Sequence, residues 1–548
     1  MLFERFFGKN NHHLQKKHLQ ELSLLAIVWV AAMVTVNPTG NFPLNDDWAY
    51  AKDVWHLSQE GRLLLDDWPA MTRLTQVFWG AAWVKLFGFS HEVLRFSTIL
   101  LGFVGIVAMR KIMLELNTDR RLATLASLVL MLNPIYFSLS ATFMTDVPFL
   151  ALFLWSCYFF LKSGRTDSHW DIALGATLAL LATMLRQFGM AAPLAFAVMW
   201  LWKHKLSFRN GLVALVPLAI SVAAYMAFTK WYEATQGLPE SYGSLDKLLK
   251  RIGGEGFYED VAMRVGLLLL SLGFFLSPAT VPFLRQQMNL NAKKLLPWTL
   301  SITVVLAFSY LFAWPMFPLG NLVYNLGIGP KTLKDGAFYI NVHPRLSHDE
   351  MSVVKVIGAI LGLVFLLQFI PSTVRGFQQV GTRRAQTVFI WTFLLAYLGF
   401  LFTDLYFLDR YPMVLLPFVL AILTQGSDIV PSKKQWLVAG LFFVFLAGFT
   451  LVGTHDYFSW NRARWQAIAY LTAEKNRKPN QIDGGFEYNG WHKPGPYGHR
   501  AGRSWWWVDE EDYIVTFGDM EGFTKEKGYP YQRWLPPGVD SIYVLKKN

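Results

Sequence analysis

Two adjacent carboxylates, Asp46 and Asp47, are the residues of this 548-residue chain best suited to chemistry. They lie in the run NDDWAY (residues 45–50), just after the first apolar segment, with Trp48 and Tyr50 beside them. A carboxylate within hydrogen-bond reach can take the proton that a nucleophile loses as it attacks. The pair could equally be the solvated start of a helix, with the asparagine or the first acid as its N-cap.

A third acid and three arginines extend this candidate site. Asp146, in MTDVPF (residues 144–149), opens a later apolar segment, where it could also be an N-cap. Guanidinium groups offer fork-shaped donors that suit phosphate, although ion pairing or snorkelling at the interface would also explain arginines here. The candidate phosphate-binding residues are Arg73, Arg186 and Arg410. The candidate substrate-binding aromatic residues are Trp48, Tyr50 and Tyr411.

The elements that must position these residues are membrane-spanning helices. Hydrophobic residues make up 53% of the chain and charged residues 16%, whereas soluble domains carry about 25% charged residues. The apolar residues fall in blocks near the roughly 20 residues that cross a bilayer. These blocks predict about 13 spans, at 21–37, 91–110, 121–140, 146–162, 170–186, 187–202, 211–230, 262–284, 295–314, 352–371, 386–404, 410–425 and 435–454.

Charge placement predicts the orientation of these spans. Lys and Arg accumulate in alternate connections, and the positive-inside rule assigns those connections to the cytosol. The N-terminus is then cytosolic, whereas the C-terminus and the candidate site are periplasmic, in a bacterial inner membrane. The first apolar segment lacks a small-residue cleavage site and is read as a retained anchor. Topology accounts for the net charge of +12 without a nucleic-acid partner.

The sequence predicts an all-α polytopic membrane protein with a small α+β extracytosolic C-terminal domain. The three predicted parts are a cytosolic segment, a transmembrane domain and the C-terminal domain, at residues 1–20, 21–455 and 456–548. Long outer loops are expected at residues 38–90, 231–261 and 315–351. Helical spacing over 72–87 favours an interfacial helix. The C-terminal domain should contain a helix at 462–472 and strands at 513–517 and 541–545.

Taken in order, NDDWAY, MTDVPF and RYP (residues 410–412) resemble motifs of the GT-C membrane glycosyltransferases. The nearest relatives would be the family 39 protein mannosyltransferase-like enzymes and the aminoarabinose transferases that modify lipid A. The resemblance covers about residues 20–455, with the span count and the outward C-terminus. It implies a GT-C fold and inverting transfer of a sugar from a polyprenyl-phosphate donor to a lipid, glycan or protein acceptor at the outer membrane surface.

The same resemblance implies residue roles. The family's general base falls on Asp46 and its second-loop acid on Asp146, whereas Asp47 stands where the family usually has Glu. In the aminoarabinose transferases a Lys-Pro-Pro stretch helps to bind the donor phosphate. This chain has DWPA at residues 67–70, so the lysine is missing and one of the three arginines would take its place.

Other functional classes explain the chain less well. The main alternative is a lipid-linked sugar flippase or other transporter. Such a protein would place charges near the bilayer midplane and show inverted repeats, and the sequence indicates neither feature. A structural or sensory protein would leave the outer acids unexplained, and a retaining glycosidase needs two carboxylates that flank one bond. The histidines lack metal-ligand spacing, so no metal or cofactor is predicted, with divalent metal left open. The tryptophans at 505–507 suit either sugar stacking or the membrane interface.

Overall fold

Helices make up most of the chain, with a small sheet near the C-terminus. The computed structural model describes residues 12–239, 242, 245–284, 321–324, 326–333, 346–404, 407–425, 431–493, 497, 504 and 506–548. The α-helices are α1 (His12–Val36), α2 (Asp47–Gln59), α3 (Leu74–Phe87), α4 (His91–Glu115), α5 (Arg120–Met131), α6 (Pro134–Ser140), α7 (Asp146–Thr166), α8 (His169–Thr183), α9 (Ala191–His204), α10 (Phe208–Thr235), α11 (Leu245–Ile252), α12 (Phe257–Thr280), α13 (His348–Gln378), α14 (Thr382–Thr403), α15 (Leu416–Thr424), α16 (Lys433–Ala469) and α17 (Phe486–His492).

Eight helices in the described part of the chain are long and apolar enough to cross a membrane. They correspond, with small differences at the ends, to α1, α4, α7, α10, α12, α13, α14 and α16. A ninth span is possible from α5 and α6 together, which are bent by 64°. The predicted span at 295–314 lies outside the described residues, and α8, α9 and α15 are shorter than a full span. The polytopic helical class is confirmed, whereas the count of 13 stays a prediction.

The bend between α5 and α6 has a local cause. The side chain of Asn133 accepts hydrogen bonds from the backbone N–H groups of Ile135 and Tyr136, and Pro134 is the first residue of α6. An asparagine N-cap followed by proline starts a new helix and ends the old one. The span predicted over 121–140 therefore consists of two helices with a bend between them, and it stays a prediction.

The helix pairs pack closely where small residues face each other. The pairs α4–α7, α7–α8, α12–α13 and α9–α14 lie side by side. At the α12–α13 crossing, a Cβ added to Gly273 would lie 2.4 Å from the backbone nitrogen of Gly362. Such small-residue contacts let two helix backbones approach closely within a bilayer.

The C-terminal part continues directly from the last span. Helix α16 runs from Lys433 to Ala469 without a break, so the predicted boundary at 455/456 falls inside one helix, and the helix expected at 462–472 belongs mostly to its end. A two-stranded ribbon of β1 (Val323–Tyr324) and β2 (Gly327–Ile328) comes first, and the later strands are β3 (Ile482–Asp483), β4 (Tyr513–Thr516), β5 (Phe523–Trp534) and β6 (Pro537–Lys547). These four strands form a sheet in the order β3-β4-β6-β5, with β3 and β4 parallel and the other pairs antiparallel. Strands β4 and β6 confirm those predicted from alternation.

Candidate functional site

Four of the predicted side chains meet at one end of the helix bundle, called here the charge cluster: Asp46, Asp146, Arg186 and Arg410. Nη2 of Arg410 lies 3.1 Å from Oδ2 of Asp46, and its Nε lies 3.9 Å from Oδ1 of Asp146. Nη2 of Arg186 lies 2.9 Å from the other oxygen of Asp146. Two acids from separate loops therefore alternate with two arginines, one of them from the late loop before α15.

The local structure presents these side chains to one another. Asp46 occupies the N-cap position of α2, but its side chain accepts no backbone N–H there. Its carboxylate instead accepts the indole N–H of Trp68 at 2.9 Å and the guanidinium of Arg410. Asp146 is the first residue of α7, and the preceding Thr145 hydroxyl accepts a 2.9 Å hydrogen bond from Nε of Arg186. Capping therefore does not account for the carboxylate of Asp46.

The cluster is largely shielded from solvent. Side-chain exposure is 2% for Asp146 and 15% for Asp46, so Asp46 is the carboxylate more open to an incoming molecule. Burial opposes ionisation of Arg410, but the carboxylates of Asp146 and Asp46 raise its pKa above the ordinary arginine value. Its buried Nη1 has no hydrogen-bond partner among the described residues. Because buried donors are nearly always satisfied, this nitrogen is suited to an acceptor that arrives with a ligand.

Asp47 lies apart from the charge cluster, although it adjoins Asp46 in sequence. Its two carboxylate oxygens accept the backbone N–H groups of Leu44, at 2.6 Å, and Phe143, at 3.0 Å. The side chain is buried and joins the first loop to the turn between α6 and α7. Asp47 thus holds the acid-bearing loops together, which is a structural task.

The pH dependence of stability tests whether Asp47 has this structural role. Burial raises the pKa of Asp47 from 3.8 to about 7, although two backbone amides oppose that shift. The folded protein then keeps a proton that the unfolded chain has released, so this contribution to stability is present below about pH 4 and is lost as pH rises to about 7. We expect Asp47→Asn to flatten the fall of the thermal unfolding midpoint between pH 5 and pH 7. An unchanged slope in that variant would contradict the assignment.

Arg73 also lies outside the charge cluster. Its Nε is 2.5 Å from Oδ2 of Asp53, and both side chains are fully buried. Its remaining donors reach the carbonyl oxygens of Asp66, Pro69 and Met71. The guanidinium therefore organises the first loop, and its described contacts use the donors that a phosphate would need.

The three aromatic candidates have different surroundings. Trp48 is fully buried in an aromatic group with Trp68, Phe486 and Trp507, through which the first loop contacts the C-terminal part. Tyr50 is buried near the cluster, and its hydroxyl lies 3.3 Å from the sulfur of Met71. Tyr411 is partly buried beside Arg410. The structure thus brings the two tyrosines, but not the tryptophan, to the charge cluster. Of the tryptophans at 505–507, residue 505 lies outside the described residues.

One buried ion pair that the sequence did not indicate supports the loop of Asp46. Nη1 of Arg464, on α16, lies 2.7 Å from Oε2 of Glu487, on α17, and both side chains are fully buried. The same carboxylate accepts the Thr332 hydroxyl at 2.7 Å and, through Oε1, the backbone N–H of Asn45 at 2.9 Å. The only signal in the sequence is the run DGGFEYNG at 483–490, in which Glu487 is one of two acids.

Removing the charge of Glu487 should destabilise the contacts between the first loop and the C-terminal part. Breaking a fully buried pair leaves the partner charge uncompensated, at a cost of about 3–5 kcal/mol. We expect Glu487→Gln to lower the thermal unfolding midpoint by several degrees and to speed proteolysis of the C-terminal part. Glu521→Gln, at an exposed turn before β5, is the matched control and should behave as the native protein. Equal midpoints for the two variants would show that the pair does not stabilise the fold.

Metal ligands do not gather among the residues that the structure describes. No group of three or more His, Cys, Asp or Glu side chains within that part of the chain has a geometry that could hold a metal ion.

The chain is similar to known glycosyltransferases over part of its length. Residues 77–231 match the family described as dolichyl-phosphate-mannose-protein mannosyltransferase. This segment contains Asp146 and Arg186, whereas Asp46 and Arg410 lie outside it. The match confirms the family resemblance predicted from the sequence motifs, over less than half of the chain. No curated protein sequence matches the chain.

Solved structures similar to this chain are distant in sequence. A crystal structure of ArnT from Cupriavidus metallidurans bound to undecaprenyl phosphate shares 14% identity at a TM-score of 0.40, over 85% of this chain and 82% of that one. The oligosaccharyltransferase AglB from Archaeoglobus fulgidus, in complex with an inhibitory peptide and a dolichol-phosphate, shares 14% identity at a TM-score of 0.43. That match covers 88% of this chain and only 60% of AglB.

Proposed function

We propose that this protein is an integral membrane glycosyltransferase that moves a hexosyl or pentosyl group from a polyprenyl-phosphate donor to an acceptor, with inversion. The observation that supports it most directly is Arg410, which bridges the two acids and keeps a buried donor nitrogen without a described partner. The family matched over residues 77–231 is named for a dolichyl-phosphate-mannose donor, which is a polyprenyl-phosphate sugar.

The side chains of the charge cluster have different roles in the proposed reaction. Asp46 is the general base, because its carboxylate is the more exposed of the two acids. Arg410 and Arg186 bind the donor phosphate, since preorganised guanidinium donors best meet the charge that develops on a leaving phosphate. Asp146 contacts both arginines and keeps them aligned.

The proposed reaction is a single displacement. The acceptor oxygen or nitrogen attacks the anomeric carbon from the face opposite the phosphate, and Asp46 takes the proton that the nucleophile loses. The bond between the anomeric carbon and the phosphate oxygen breaks, and its electron pair leaves on the polyprenyl phosphate. One displacement inverts the anomeric configuration.

The position of the cluster suits a lipid-linked donor. Asp146 begins α7, and Asp46, ten residues beyond the end of α1, contacts Arg410 beside it, so the cluster lies at the end of one span. A polyprenyl chain can then stay in the hydrocarbon while its phosphate reaches the arginines. By the positive-inside rule we place this end in the periplasm of a bacterial inner membrane, with the N-terminus in the cytosol. The acceptor is a lipid, a glycan or a protein.

An assay of sugar transfer in vitro distinguishes the proposed transferase from a transporter. The purified protein in liposomes is given a radiolabelled polyprenyl-phosphate hexose or pentose, with bacterial membrane extract as the source of acceptor. We expect label in a new product together with free polyprenyl phosphate. Movement of intact donor between the leaflets without transfer would instead identify a flippase and overturn the proposal.

A further inference from the structure

The tip of the β5–β6 hairpin rests on the side of α16, far from the charge cluster in sequence. The rings of His455 and Trp534 stack with centroids 3.5 Å apart and an interplanar angle of 5°. The carboxylate of Asp456 accepts the backbone N–H groups of Trp534, at 2.8 Å, and Leu535, at 3.0 Å. These contacts fix the height of the tip along the helix.

The tip continues a lipid-facing stripe on α16. The exposed apolar residues of that helix are Leu437, Leu441, Val444 and Phe445. Steps of three or four residues keep side chains on one helix face, and His455 follows Val444 by eleven residues, which is about three turns. The hairpin tip therefore stands at the end of the face that contacts lipid. It adds the apolar side chains of Trp534, 39% exposed, and Val539, 70% exposed.

Two measures place the tip near the outer end of the spans, within about 10 Å of the end of α1. Eighteen residues separate Leu437 from His455, or about 27 Å of helix, close to the roughly 30 Å of a hydrocarbon core. Nη1 of Arg462 donates to the carbonyl oxygen of Asn37 at 2.9 Å, just after α1 ends. Arg462 is thus level with the end of the first span, and His455 lies seven residues, about 10 Å, nearer the bilayer centre.

The two ends of the hairpin differ in composition, because the tip is uncharged and the opposite end is basic. Between Trp534 and Val539 the chain reads WLPPGV and carries no charge. The charges that flank this run in sequence neutralise each other, because Nη1 of Arg533 lies 3.1 Å from Oδ2 of Asp540. The opposite end of the hairpin has exposed lysines at 525, 527, 546 and 547. Tryptophan is enriched where an apolar surface meets the headgroups.

We propose that residues 534–539 bind lipid directly, by inserting into the headgroup–acyl boundary beside α16. The hairpin would then be a second membrane contact of the C-terminal part, in addition to the helix from which it continues. This inference does not depend on the proposed transfer reaction, because it uses only the hairpin, its contacts with α16 and the depth of that helix.

Fluorescence quenching at single introduced cysteines tests the proposal. The one native cysteine, Cys157, is buried within α7, so unmodified protein supplies the labelling blank. Val539→Cys carries a nitrobenzoxadiazole label in nanodiscs of phosphatidylethanolamine and phosphatidylglycerol. Leu441→Cys, on the exposed stripe, is the lipid-facing control, and Glu521→Cys, at the far end of the hairpin, is the water-facing control.

We expect 5-doxyl lipid to quench the label at 539 several-fold more than the label at 521, and aqueous iodide to quench it less. Gly538→Cys gives a second label at the tip and should report the same pattern. The proposal would be overturned if iodide quenched the labels at 538 and 539 as strongly as it quenches the label at 521. Protection from both quenchers would also overturn it, because it would indicate a protein surface, such as a second copy, over the tip. Neither result requires activity, so neither bears on the transfer reaction.

Discussion

Replacing Asp46 by asparagine is expected to lower the rate of sugar transfer about 10²- to 10⁴-fold, the usual contribution of a general base. Asparagine keeps the shape of the side chain and can still accept the indole N–H of Trp68. The donor should bind the variant at least as well, since Arg410 loses one of its two carboxylate neighbours. The measurement is the turnover number at saturating radiolabelled donor, together with the Michaelis constant for that donor.

A matched control separates chemistry from folding. Asp67→Asn changes an exposed acid of the same loop and should keep native turnover. The Asp46 variant should retain the native thermal midpoint within a few degrees. Turnover within a few-fold of the native enzyme would remove Asp46 as the base and direct attention to Asp146.

Replacing Arg410 by lysine is expected to reduce transfer efficiency for the donor about 10²- to 10³-fold, the scale found when one preorganised donor to a developing negative charge is lost. Lysine keeps the positive charge but has no planar fork. It therefore cannot contact Asp46 and Asp146 and still direct a spare N–H at the phosphate. The effect should include a higher Michaelis constant for the donor, which distinguishes it from the Asp46 variant.

Arg165→Lys is the control for this change. That arginine pairs with Glu115 at the opposite end of the bundle, and its side chain is 53% exposed. The control should keep native donor kinetics. If the Arg410 variant also kept them, phosphate binding by Arg410 would be refuted. Combining the Asp46 and Arg410 changes should cost less than the product of the two, because contacting residues act as a unit.

Much of the fold could be predicted because it depends on local patterns. Apolar blocks indicated most of the long helices, the spacing over 72–87 indicated α3, and alternation indicated β4 and β6. The convergence of acids and arginines also followed from the pattern, since the predicted spans put Asp46, Asp146 and Arg410 on the same side of the membrane.

The division of roles among the acids and arginines could not be read from sequence. Asp46 and Asp47 are neighbours, but consecutive residues at a helix start point in different directions, and Asp47 meets an amide of Phe143 about a hundred residues away. Arg73 and Arg410 look alike in sequence, yet Arg73 is held by Asp53 and three carbonyl oxygens. The difference arises for Asp47 from a long-range hydrogen bond to a backbone amide, which carries no residue identity, and for Arg73 from a buried ion pair and nearby carbonyl oxygens.

The unbroken course of α16, together with the Glu487 contact to the backbone of Asn45, has a consequence for protein engineering. Grafting a foreign C-terminal part onto this scaffold would strip the acid-bearing loop of a supporting hydrogen bond, even though the graft point is remote. Chimeras should therefore exchange the first loop together with all the residues that follow α16. A junction placed between the two is expected to give a folded protein in which Asp46 is displaced from the other side chains of the charge cluster.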